Sequence, residues 1–402
     1  EMAHRLDPGR PTGGVRAHRK SHLLEDVYTY NDFVHDGTAP GCLPKKKVTS
    51  DKRKPYLISE YNGHMYPTKT FDWEEHRREH AIRHANVLNE VAKQTDIAGS
   101  FGWCMFDYNT HKDFGAGDRI CYHGVMDMFR NPKLAASVYS ALSDGETILD
   151  ITSSFDIGDH PACNRGRSYI ITNADSVKMY KNDVLIKEYF PEDSSYENLK
   201  HGPIMIDDFV GDALEEDGYT KSQAKLIKQA LNKVSLEGFK ITPALLWIAL
   251  RLMVIHKMKP SQAVPIYNKY IGDWGGQSRE YKFEAIKDGK IVKTIIKSAV
   301  TSVHIQTKVS HTLLTELHTY DVSHIRIKLV DQNNNQLYYF NRPVHFNIDG
   351  PFEIIGPDTV TPLGGATGVY IKSIGEDGDG KLTISCDGVE PVQIALSVEC
   401  LF

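Results

Sequence analysis

One carboxylate stands out by where it falls. Glu60 lies in Pro55-Tyr56-Leu57-Ile58-Ser59-Glu60-Tyr61-Asn62-Gly63-His64, where an apolar run is bounded by proline on one side and Asn-Gly on the other. That is the pattern of a short buried strand closed by a turn, with Glu60 at its C-terminal end and His64 just beyond. In a parallel α/β barrel this end is the face where chemistry is done. Taken alone, Glu60 fits a loop-capping glutamate better. Its company adds weight: Trp103, in Phe101-Gly-Trp-Cys-Met-Phe-Asp107, offers a flat indole of the kind on which the apolar face of a sugar ring stacks. Tyr30 and Asn31 end an earlier strand and offer a hydroxyl and an amide, for sugar hydroxyls or for orienting Glu60. By itself Trp103 also fits a core position.

The elements that must position these residues alternate up to about residue 140. Strands are expected over 10–16, 26–33, 55–61 and 97–107, with a helix from about Trp73 to Lys93 carrying Glu74 and Glu75 in its first turn, where the helix dipole favours them. Strands separated by helices imply βα units and a parallel sheet. Four of them make half of an eight-stranded barrel, so the other half is expected to precede residue 1. From about 145 the texture is β-only, with hairpin signals at Asn182-Asp183 and Asp288-Gly289. Between 207 and 272 it turns helical: Thr220 and Gln223 form a capping box, and Thr242-Pro243 opens an apolar helix expected to be buried. From about 300 a second β-only region follows, with alternation over 324–330, an Asn333-Asn334-Asn335 turn, and strands over 336–340 and 381–385.

Composition bounds the partners. With 402 residues, 41% hydrophobic and 25% charged, the chain has ordinary globular character, and a formal net charge of −5 argues against nucleic acid or an anionic membrane as partner. Lys45 to Lys47 and Lys52 to Lys54 read as a solvated loop. Six cysteines without CxxC spacing fit free thiols in a reducing compartment, hence a cytoplasmic protein. The apolar run from Ala244 to Ile255 is too short to span a bilayer. No cofactor box is present.

Together these residues resemble the C-terminal part of glycoside hydrolase family 2 enzymes of the β-galactosidase type. The resemblance rests on Ser59-Glu60-Tyr61, on Gly102-Trp103 with Asp107, on Gly117-Asp118-Arg119-Ile-Cys-Tyr-His123-Gly124-Val125 and on Arg130-Asn131-Pro132-Lys133; Gly356-Pro357, Val360-Thr-Pro-Leu363 and Gly368-Val-Tyr-Ile371 extend it. It implies a partial (β/α)8 barrel (1–144), an immunoglobulin-like β-sandwich (145–206 and 273–299) interrupted by a helical insertion (207–272), and a second such sandwich (300–402). It implies a retaining exo-glycosidase with Glu60 as nucleophile, Trp103 as the aromatic floor of the subsite, His123 at a sugar-contacting position and Asp118 in the Gly-Asp-Arg match; Tyr30, Asn31 and His64 are expected as further substrate contacts from their places in the chain. Cys121-Tyr122-His123 lacks the lysine with which similar glucuronidases read a sugar carboxylate, which favours a neutral sugar, β-galactose first.

The departure is the second carboxyl. Retaining hydrolysis needs a general acid, which in this family is the glutamate of an Asn-Glu pair ending a barrel strand. Here the pair Asn89-Glu90 falls inside the helix. The acid is therefore expected from a missing N-terminal part of the same enzyme, and the alternative class is a non-catalytic glycan-binding or structural companion. A homo-oligomer is compatible with either. His76, His80 and His84 share a helix face at metal-ligand spacing and also fit a half-exposed structural stripe; no metal is assigned to them. Asp113, Asp118 and Asp127 can hold a divalent ion or order the loop, and only Asp118 is retained, for its place in the Gly-Asp-Arg match.

Overall fold

The computed structural model describes residues 1–401 except 23, 39, 113–116 and 273–278, so Asp113 lies outside the described residues. The chain divides into two compact units, Glu1–Tyr66 with Glu74–Trp103 and Leu134–Ala299, and Pro67–Trp73 with Cys104–Lys133 and Val300–Phe402.

The first unit opens with a parallel sheet of β1 (Tyr28–Asn31), β2 (Tyr56–Asn62) and β3 (Gly99–Trp103), β2 in the centre. The helix Glu74–Lys93 carries the chain from β2 to β3 and buries Ala81, Ala85 and Val87. Tyr28, Tyr30, Tyr56, Ile58 and Tyr61 pack around Val87. The strand expected over 10–16 shrinks to one bridge between Gly13 and Val27. Pro11 lacks a donor and Gly13-Gly14 has no side chain to pack, so little holds that stretch in a ladder. The histidine stripe is more buried than expected: His80 and His84 are 3% and 1% exposed, His84 lies 2.9 Å from the Tyr139 hydroxyl, and His76 stacks on Tyr66. Among the described residues no group of three His, Cys, Asp or Glu side chains gathers as a metal site.

The same unit continues into two antiparallel sheets. One runs Ile204–Met205, Tyr169–Thr172, Leu149–Ile151; the other Lys290–Lys297, Tyr281–Lys287, Ser176–Lys181, Val184–Tyr189. Asn182, Asp183, Asp288 and Gly289 all take positive φ, which is what two-residue hairpin turns demand and what Asn, Asp and Gly tolerate. Ile170, Met179 and Phe283 form a core with Ile227, Leu231 and Tyr270 of the helical segment. There Thr220 and Gln223 close the capping box at the start of Lys221–Glu237. The helix Pro243–Val254 departs from expectation, because none of its residues is buried. Among the described residues no helix is long and apolar enough to cross a membrane.

The second unit is a β-sandwich. A four-stranded sheet (Val303–Val309, Val322–Asp331, Ala366–Ser373, Phe352–Ile355) and a five-stranded one (Leu313–Glu316, Val389–Cys400, Gly378–Cys386, Val344–Asp349, Thr359–Val360) enclose one core. Alternation decides it: Ile325, Ile327 and Leu329 are fully buried between the partly exposed His324, Arg326 and Lys328. Gln336 makes only a bridge to Val330, so the strand expected over 336–340 does not form.

Candidate active site

The position of Glu60 is set by an irregularity in β2. Tyr30 pairs with Ile58 and Asn31 with Glu60, so β2 carries one more residue than β1; against β3 the register also slips between Ile58 and Tyr61. This is a β-bulge, and it re-aims side chains. Strict alternation would send Glu60 to the side of Tyr56 and Ile58, into the helix-facing cluster. Instead Tyr61 takes that place, fully buried, with its hydroxyl 2.5 Å from that of Tyr139.

Released from the core, Glu60 meets the end of β1. Asn31 Nδ2 donates to Glu60 Oε2 at 2.7 Å, and Ser59 Oγ donates to Asn31 Oδ1 at 2.9 Å. The serine thus holds the amide with its N–H side toward the carboxylate. Gly63 is the close-approach point: a Cβ there would lie 3.3 Å from Trp103 Cδ1 and 3.6 Å from Glu60 Oε1, and its φ is +56°. Glu60 and Trp103 therefore flank the same glycine, and Trp103 is 42% exposed. His64, on the turn after β2, meets Phe33 at a tilt with ring centroids 5.5 Å apart. Burial raises the Glu60 pKa above its ordinary value, and the electrostatic pull of the nearby His64 opposes that rise.

Tyr30 does not join this group. It is 7% exposed and packs in the apolar cluster, and neighbouring residues of a strand face opposite sides, so Asn31 is the β1 residue that reaches Glu60. Asp118 and His123 belong to the second unit. The Tyr122 hydroxyl donates to Asp118 and holds its carboxyl below the usual range. His123 is buried and meets Tyr108 edge-on. Their loop is held by a buried ion pair, Lys133 Nζ to Asp107 Oδ1 at 2.7 Å; Lys133 also donates to the Thr68 carbonyl, and Gly124 N–H to Asp107. Burial pushes Asp107 up to about 6 and Lys133 down, each resisted by the other's charge. Asn131 anchors the loop further, donating to the Asp127 carboxylate and the Thr367 carbonyl, so Asp127 serves as a turn acceptor. Glu90 of the Asn-Glu pair lies on the helix, where Gln94 donates to it and Lys93 pairs with it.

Ser59 went unrecognised in the sequence as part of this arrangement, because its partner is 28 residues away. The only local signal was its place beside Glu60.

Comparison with known proteins agrees with this architecture. Residues 305–395 match the family described as glycoside hydrolase family 2 C-terminal domain 5. Over 371 residues the chain is 34% identical to a β-galactosidase of Thermoanaerobacterium thermosulfurigenes, covering 91% of this chain and 44% of that protein. It is 31% identical over 128 residues to a β-galactosidase of Rhizobium radiobacter, covering 30% of this chain and 86% of that one. A β-glycosidase from Bacteroides vulgatus shares the fold, with a TM-score of 0.61 over 99% of this chain and 48% of that chain at 15% identity. The chain belongs to glycoside hydrolase family 2, among its β-galactosidase-like members. It spans less than half the length of the Thermoanaerobacterium relative.

Proposed function

We propose that this chain is the nucleophile-bearing part of a retaining exo-glycosidase that hydrolyses terminal β-galactosides. The observation that carries the reading is the bulge in β2, which takes Glu60 out of the core and sets it against the Asn31 amide beside the half-exposed Trp103. In this reading the Glu60 carboxylate attacks the anomeric carbon as the aglycone leaves with a proton from a general acid. Water then hydrolyses the glycosyl ester, deprotonated by the same acid in its basic form. Asn31 orients Glu60, Trp103 floors the subsite, and His64 contacts the sugar. The acid comes from outside this chain, consistent with Glu90 being engaged on its helix and with the chain spanning 44% of a relative's length. The β1–β3 sheet is then part of a (β/α)8 barrel within 1–144, completed by other strands. Residues 145–206 with 273–299, and 300–402, are immunoglobulin-like sandwiches, and 207–272 is an insertion. The galactose assignment rests on the names of the relatives and on the missing lysine in Cys121-Tyr122-His123. A cytoplasmic setting fits the six free cysteines.

The test is the stereochemistry of the product. Proton NMR during hydrolysis of an aryl β-galactoside by the assembled enzyme should show β-galactose first, with mutarotation following. An α-anomer appearing first contradicts the mechanism. No hydrolysis by any assembly containing this chain favours a glycan-binding or structural companion.

A further inference from the structure

The helical segment of the first unit holds a groove for which the glycosidase reading has no use. Helices Lys221–Glu237 and Pro243–Val254, with the turns through Pro260–Tyr267, enclose about 930 Å³. Its walls are mostly apolar, with Ile227, Leu231, Val234, Ile248 and Leu252 prominent. That size is at the upper end for small-molecule sites, and a lining of this kind offers water few partners. The helix Pro243–Val254 is apolar but for Arg251: one side faces the groove, while Leu246, Trp247, Leu250 and Val254 are each more than half exposed. An exposed apolar surface this continuous marks a binding surface.

Charge selects the occupant. Residues 238–272 contain Lys240, Arg251, Lys257, Lys259 and Lys269 and no aspartate or glutamate. Lys269 pairs with Asp217 at 2.8 Å, Arg251 lies over the Trp247 ring, and Lys259 lines the groove. A second copy of the chain fits poorly, because a two-fold interface lays a patch on itself and would set these cations against each other. A ligand of the opposite pattern fits: an alkyl chain ending in an anion. We propose that the groove binds a monomeric long-chain carboxylate, the alkyl chain between the helices and the carboxylate at Lys259.

A chain-length series tests this on the full chain by calorimetry, with decanoate, dodecanoate and tetradecanoate kept below their micellar concentrations. Each methylene moved from water into the groove strengthens binding about fourfold, so each two-carbon step should give about fifteenfold. Lys259→Glu should weaken the carboxylates about tenfold and leave the alcohol of equal length unchanged. Ala249→Phe, which fills the groove, should weaken both, with the unfolding temperature reporting its folding independently. The proposal is overturned by affinity independent of chain length, by equal affinity for an alkyl carboxylate and an alkyl trimethylammonium, by binding to phosphatidylglycerol vesicles without uptake of the monomer, or by self-association that Lys259→Glu does not alter and that shuts the ligands out.

Discussion

Replacing Asn31 with alanine removes the amide that donates to Glu60 Oε2 at 2.7 Å and takes the acceptor from Ser59. A hydrogen bond to a charged acceptor contributes about 1.5–3 kcal/mol. Glu60 is partly open to water, which replaces part of the donor, so the lower figure applies: about 1.5 kcal/mol, or roughly tenfold. The sign follows from the form the amide favours. It donates to the carboxylate, so its loss raises the Glu60 pKa further, in the direction burial already takes it. Attack requires the ionised form; the acid limb of the rate profile should therefore move to higher pH, with rates below it falling about tenfold and rates well above it changing less. The assay is the second-order rate of covalent labelling by 2,4-dinitrophenyl 2-deoxy-2-fluoro-β-galactoside, followed across the acid and neutral range. Dinitrophenolate leaves without protonation, so the rate reports the nucleophile and not the general acid. An unchanged rate and limb in a variant that folds normally refutes the orienting role.

Glu60→Gln should abolish both labelling and turnover in the assembled enzyme while leaving the unfolding temperature unchanged; residual turnover at the normal rate removes Glu60 from the mechanism. Gly63→Ala places a methyl 3.3 Å from Trp103 Cδ1 at a φ of +56°, and should cost about 1–2 kcal/mol in thermal unfolding and slow labelling. Lys133→Met leaves the Asp107 carboxylate buried without its cation and should cost about 3–5 kcal/mol by urea denaturation, part of which Asp107→Asn in the same chain recovers. No loss in the single variant would mean that the pair does not hold the loop.

The strand carrying Glu60 was legible because its boundaries are local: Pro55 and Asn62-Gly63 punctuate an apolar run, and the hairpin turns announced themselves in the same way at Asn182-Asp183 and Asp288-Gly289. The bulge was not legible, since a register slip exists only between strands and neither Asn31 nor Gly102 signals it along the chain. Tyr30 and Asn31 are both expected near Glu60 from their place at a strand end, and strand alternation gives that position to Asn31 alone. The helix Pro243–Val254 reads as buried because its residues are apolar; whether such a helix is covered depends on what lies against it, and nothing within the helix records that. The burial of His84 depends likewise on Tyr139, brought in from a distant segment, and His80 meets the His84 ring edge-on.

The central claim is that the Glu60 carboxylate forms a covalent bond to the sugar. Intact-mass analysis after incubation with the fluorinated galactoside, followed by proteolysis and peptide sequencing, tests it directly. One added fluorogalactosyl group on Glu60, lost in Glu60→Gln, is the predicted result. An adduct on another carboxylate, or none from the assembled enzyme while it turns over β-galactosides, contradicts the account.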